Sequence, residues 1–216
     1  MGLQKKQESG VIYLSIIQGT FKENSSEDNP EAVKREYEDK NGKKGFKYEI
    51  EYSAIDGMLE SVEFKDGDFG EQAIITITDV GEKIKVYLPF KSQYFTNFAK
   101  RLPNVNLSEV VQLSPYNFED KDGKRKIGVN IKQNDETIGN AYYDTVKKKV
   151  INGLPTFDWS NKDKDDRDVH YIQERKFLKK AIEGMVFPKV DTTLSPTATN
   201  PVPAQEVGEE PDDLPF

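Results

Sequence analysis

Apolar and polar residues alternate with a period of two along much of this chain, and that alternation predicts β-strands. Residues 11–21 read as one strand, with Ile12, Leu14 and Ile16 on one face and Tyr13, Ser15 and Ile17 on the other. Residues 22–40 are strongly charged and read as an excursion from the sheet, with a short helix after Pro30. Asn41-Gly42 is a hairpin signal, because both residues tolerate positive φ. Beyond it Phe46, Tyr48, Ile50 and Tyr52 alternate with charged neighbours, and the three aromatics are expected on the core face. The pattern returns at 61–64, 73–78 and 83–90, punctuated by Gly67, Gly70 and Gly81.

Ser92 is placed to cap a short helix carrying Phe95, Phe98 and Leu102, ended before Pro103. Strands at 110–118 and 124–132, joined by Asp122-Gly123, make a second hairpin, and a last strand covers 137–143. Residues 166–184 have helical spacing in Val169, Ile172, Leu178 and Ile182, with Gly184 as a stop. Many antiparallel strands with two helices predict a mostly β domain over residues 1–187. A small closed or partly open barrel buries such strands without free edges. A β-sandwich is the alternative that periodicity does not separate.

The character changes at residue 188. Six of the eleven prolines (Pro188, Pro196, Pro201, Pro203, Pro211 and Pro215) fall in 188–216 among Thr, Ser, Asn and acids. Such a segment buries too little apolar surface to offset its ordering entropy, so a disordered tail is expected. Six acids and no Lys or Arg lie in 191–216, nearly all of the net charge of −7. The folded part is therefore close to neutral, and acidity overall does not argue against a basic face. Absent cysteine excludes disulfides, thiolate zinc sites and cysteine nucleophiles. No apolar run is long enough to span a bilayer and no signal-peptide core is present, so a cytoplasmic protein is expected.

The sequence closes with Glu209-Glu210-Pro211-Asp212-Asp213-Leu214-Pro215-Phe216. An apolar Leu-Pro-Phe after a run of acids suits capture by another protein: ring and prolines for an apolar pocket, carboxylates for surrounding cations. Asp212, Asp213, Leu214, Pro215 and Phe216 closely resemble the C-terminal tip of bacterial single-stranded DNA-binding proteins. That resemblance implies an OB domain that holds the strand, and a tip that docks replication, recombination and repair proteins. The size of the folded part and its unfamiliar first strand look more like the phage proteins of this kind, with an elaborated OB barrel and a monomer or homodimer. A phage gene expressed in the bacterial cytoplasm fits.

Sequence-tolerant binding of single strands needs cations for phosphates and aromatic faces for bases. If Ile84, Val86, Leu88 and Phe90 face the core, then Lys83, Lys85 and Tyr87 face out. If Ile127, Val129 and Ile131 face in, then Lys126, Asn130 and Lys132 face out, and the turn adds Lys121, Lys124 and Arg125. Tyr13, Tyr116, Phe118, Tyr142 and Trp159 are the candidate stacking rings; Trp159 has a rival reading as a plug against the body or the last helix.

No cofactor is implied, and there is no phosphate-binding GxxxxGK[ST] and no GxSxG. A metal-dependent nuclease using Asp66 and Asp68, or Asp163, Asp165, Asp166 and Asp168, is the enzymatic alternative. His170, the sole histidine, is expected to be an exposed helix residue. A strand-annealing or recombination mediator is the other alternative.

Overall fold

A computed structural model describes residues 10–38, 42–67, 70–79, 82–160 and 163–188. The tail and the five tip residues therefore lie outside the described residues, as do Asn41, Asp68 and Gly81. In chain order the elements are β1 (Val11–Ile17), β2 (Thr20–Ser25), β3 (Val33–Glu38), β4 (Lys44–Tyr52), β5 (Ile55–Gly67), β6 (Gly70–Asp79) and β7 (Glu82–Pro89). Then come α1 (Gln93–Arg101), β8 (Val110–Glu119), β9 (Arg125–Gln133), β10 (Glu136–Thr137), β11 (Tyr143–Asp144), β12 (Lys149–Val150) and α2 (Lys164–Glu183).

Ten strands form one mixed sheet in the order β10-β9-β8-β5-β6-β7-β1-β2-β4-β3, and β11 pairs only with β12. Every ladder is antiparallel except β1 with β7. The sheet curls around one core. Leu14, Phe21, Leu59, Ile75, Ile77, Val86, Leu88, Val111, Leu113, Val129 and Ile131 point inward, and Phe95, Phe98, Ala99 and Leu102 of the α1 segment plug it.

No ladder closes this curl into a barrel among the described residues. The β1–β2 turn instead abuts β8. Gly19 sits at φ +88°, and a Cβ there would lie 2.6 Å from the Asn117 amide nitrogen, so only glycine permits both the turn and the approach.

Several expectations give way to long-range pairing. The strand read over 11–21 is two strands, broken at Gln18-Gly19, both at positive φ. The charged stretch 22–40 forms β2 and β3 rather than a helix. Its charges are satisfied across the ladder: Lys22 is buried and paired with Glu51, while Arg35 holds buried Glu49 through two hydrogen bonds of 2.7 and 3.0 Å. Phe46 is 55% exposed, because β3 and β4 extend beyond the core, and it carries Lys34 Nζ 4.0 Å from its ring. Tyr48 is likewise off the core and donates to Glu27 at 2.5 Å; Tyr52 does pack against the core. The strand expected over 137–143 is reduced to the short β10 and β11.

Helix α1 starts as expected, with Ser92 Oγ accepting from the Phe95 amide at 3.1 Å, but runs past Arg101 into a 3₁₀ turn containing Pro103. In α2 the buried stripe is His170, Glu174, Leu178 and Ile182; Leu178 and Ile182 were expected there, while Val169 and Ile172 are exposed and His170 and Glu174 take the inward positions. Glu174 is accepted in the interior because Lys100 of α1 reaches it at 2.7 Å. His170, expected outside, is buried and stacks on Phe157 at 5.2 Å. Gly184 ends the helix, though with an ordinary right-handed φ of −83°. No described helix is long and apolar enough to cross a membrane.

Tyr52 offers a test of this packing. Burial first, and then its 2.6 Å hydrogen bond to Glu23, push its hydroxyl from an ordinary 10.0 up to about 12. Folding then holds a proton that the unfolded chain releases. Its contribution is complete below about pH 10 and is lost as pH rises through about 12. Chemical denaturation across pH 9–12 should show this alkaline loss, and Tyr52→Phe should flatten it.

Candidate nucleic-acid interface

Period-two geometry places Lys126, Gly128, Asn130 and Lys132 of β9 on the outer face, opposite Phe118, Tyr116, Ser114 and Gln112 of β8. Phe118 is 55% exposed and Tyr116 half-buried, their ring centroids 5.7 Å apart. Tyr116 lies across β9. Its hydroxyl accepts from Asn97 Nδ2 of α1 at 3.3 Å, and Asn97 Oδ1 in turn accepts from Arg101 at 2.7 Å and from the Val129 amide at 3.0 Å. The crossing requires Gly128, where a Cβ would stand 2.4 Å from the Tyr116 hydroxyl. Asn97 and Gly128 are therefore site-building residues that the sequence did not reveal, since their partners are distant along the chain.

The β8–β9 turn carries the cations. Asp120 organises it, accepting from the amides of Asp122 at 3.0 Å and Lys124 at 2.8 Å. The Lys124 amide first, opposed by desolvation and then helped by the Asp122 amide and Lys126, holds this carboxyl below the usual aspartate range. Arg125 is braced through Nε on Asn117 Oδ1 at 2.7 Å, and Lys126 stands 3.4 Å from Asp120. Lys121 and Lys124 are exposed and, with half-buried Lys132 further along β9, have no ion-pair partner among the described residues. Glu119, Asp120 and Asp122 share the turn, so its excess positive charge is small.

A second group lies on the same outer face, along the β7–β1 seam. Tyr13 and Tyr87 are 6.2 Å apart, and Lys85 Nζ stands 6.0 Å from the Tyr13 ring. Burial first, and then the neighbouring Tyr13, raise the Tyr87 hydroxyl above its ordinary value. Lys83 also faces out but is bound to Glu60 at 2.8 Å. Burial opposes the Glu60 charge, yet hydrogen bonds from Lys83 and Thr78 outweigh it and hold the carboxyl below its usual value.

Two candidate rings leave the group. Tyr142 is buried and packs edge-on against Phe177 at 5.6 Å, so its face is not available to a base. Trp159 is 64% exposed but belongs to a different cluster, with Phe157, His170 and Tyr171. One acid of the nuclease alternative has a structural role. Asp163 caps α2, accepting from the Asp165 and Asp166 amides at 2.8 and 3.2 Å. No group of three metal-ligating side chains occurs among the described residues. No known protein family, curated protein or solved structure matches the chain.

Gly128→Ala should expel Tyr116 from its place and break the Asn97 network. The expected cost is about 1–3 kcal/mol, read as a lower denaturation midpoint. Gly123→Ala in the exposed turn, strained only by its φ of +73°, should cost less.

Proposed function

We propose that the chain is a non-catalytic single-stranded DNA-binding protein whose β domain is an elaborated, open OB fold. The observation that carries this reading is the order β9-β8-β5-β6-β7, with α1 between β7 and β8. Taken as strands one to five, β5, β6, β7, β8 and β9 follow an OB Greek key, in which the first strand pairs with both the second and the fourth. OB folds hold oligonucleotides on the face of strands two and three and on the loop between strands four and five. Those positions fall on Lys85 and Tyr87, flanked by Tyr13, and on the turn of Lys121, Lys124, Arg125 and Lys126 beside Phe118 and Tyr116. Both groups interleave cations with aromatic faces, as backbone tracking and base stacking require.

The second part of the reading concerns the acidic segment. Asp212, Asp213, Leu214, Pro215 and Phe216 have the chemistry of a docking peptide for replication, recombination and repair proteins. Binding the strand and recruiting such partners are then separate tasks on separate parts of the chain.

Fluorescence anisotropy with labelled oligo(dT), and with duplex DNA and RNA of equal length, tests the first part. Tight binding to oligo(dT) is expected, weakening with salt at a log–log slope of about −0.7 per phosphate neutralised. Phe118→Ala should weaken binding by roughly 5- to 150-fold, the stacking energy of one base. Combined Lys124→Ala and Arg125→Ala should make the slope shallower by about 1.4. Failure to bind oligo(dT) at low salt overturns the reading.

A further inference from the structure

A pocket of about 340 Å³ lies between β11–β12 and the first half of α2, near the small end of ligand-site volumes. Three aromatic rings wall it: Tyr143, Phe157 and Trp159. The ring of His170 stacks on Phe157 at 5.2 Å with planes 27° apart, and Trp159 stands upright to both, at 75° and 87°. Trp159 is 64% exposed, so a large flat ring is open to stacking by an incoming one.

The floor is polar. Lys100 Nζ meets Glu174 Oε1 at 2.7 Å, and Glu174 Oε2 enters no hydrogen bond among the described residues. His170 lines the same floor and is only 7% exposed, and no hydrogen bond engages its imidazole among the described residues. The two aromatic–cation groups assigned to the strand use none of these residues. An apolar occupant would bury a carboxylate oxygen and an imidazole without partners, a cost its own burial would have to offset. The fitting ligand is a flat ring whose face meets the aromatic walls. Its edge carries donors for Glu174 and an acceptor for Lys100.

A nucleobase is such a ring, and guanine matches the floor most fully. Its Watson–Crick edge sets two donors, N1–H and N2–H, beside the acceptor O6; adenine, cytosine and thymine each place one donor group there. A carboxylate takes two parallel donors as it takes a guanidinium, and an ammonium suits O6. We propose that this pocket binds a guanine base, with Glu174 accepting from N1–H and N2–H, Lys100 donating to O6, and Trp159 stacked on the ring. The base comes from the bound strand or from a free nucleotide. A strand has it close by: Lys100 is the i+3 neighbour of Asn97 on α1, so one helical turn separates the pocket from the group at Tyr116. The pocket does not depend on the strand-binding reading, since its walls and floor hold a mononucleotide equally.

Trp159 is the sole tryptophan, so its fluorescence in the full-length protein reports the pocket. Titration with dGMP should quench it saturably. The inosine analogue dIMP, which lacks only the 2-amino group, should bind about 10-fold or more weakly, the loss of one hydrogen bond to a charged acceptor. Deoxyribose 5-phosphate should leave the fluorescence unchanged. Glu174→Gln, close in shape, should weaken dGMP binding by about the same factor, with circular dichroism checking the fold. If that variant does not fold, the dIMP comparison on unaltered protein still decides. A single dG within oligo(dT) separates the two sources. Tighter binding and stronger quenching than with all-dT place a strand guanine in the pocket; indifference to the dG, with quenching by dGMP, assigns the pocket to free nucleotides. Silence toward both dGMP and the dG-containing strand, or equal affinity for dGMP and dIMP, overturns the proposal. If dGMP quenches while oligo(dT) fails to bind, the strand-binding reading falls and the pocket stands.

Discussion

The parallel seam between β1 and β7 is the joint on which the rest of the molecule depends. It runs from Val11 opposite Lys83 to Ser15 opposite Tyr87, and among the described residues it is the one ladder that unites β5 to β10 with β2 to β4. Parallel pairing is slightly weaker per residue than antiparallel pairing, so backbone bonds alone would make a poor joint. Burial supplies the difference. Leu14 and Val86 stand opposite each other across the seam, both out of water, and continue the core from one half into the other. The same register sets Tyr13 next to Lys85 on the outer face, so the packing that unites the halves also composes one of the two aromatic–cation groups.

Much of this was legible in the sequence, and the failures have identifiable causes. Period two correctly sorted Lys83, Lys85 and Tyr87 from Ile84, Val86 and Leu88, and Lys126, Asn130 and Lys132 from Val129 and Ile131, because each strand is buried on one side. The rule failed where charge stood in for apolarity. Lys22, Glu49 and Arg35 are strand residues whose partners come from a neighbouring strand, and no local pattern announces them. It failed again in α2, where Glu174 and His170 occupy the buried stripe through contacts with Lys100 and Phe157, which lie outside the helix. Tyr142 was a candidate stacking ring whose sequence neighbours do not decide its burial; Phe177 of α2 packs against it. The network of Asn97, Gly128 and Tyr116 was unreadable for the same reason.

Charge is spent locally in this protein. Glu60 holds Lys83, Asp120 stands beside Lys126, Glu71 takes Lys179, and Glu174 takes Lys100. Such compensation keeps the long-range field weak, and a weak field steers ligands poorly at physiological ionic strength. The cations without a described ion-pair partner, among them Lys121, Lys124, Lys132, Lys148 and Lys149, sit instead in the β8–β9 and β11–β12 turns or on the strands β9 and β12. Contact chemistry at these places matters more than the charge of the whole.

The support of the β8–β9 hairpin ends before the hairpin does. β5 accompanies β8 only as far as Leu113, β10 accompanies β9 only at Lys132 and Gln133, and the last braces are Gly19 against Asn117 and Asn97 against Val129. Beyond them the rungs joining Phe118 to Lys126 and Glu119 to Arg125 hang free, like a diving board bolted at one end. Two-stranded ribbons twist and bend more readily than wide sheets. The outermost ring and cations thus ride on a spring, able to tilt while the bolted end keeps its shape.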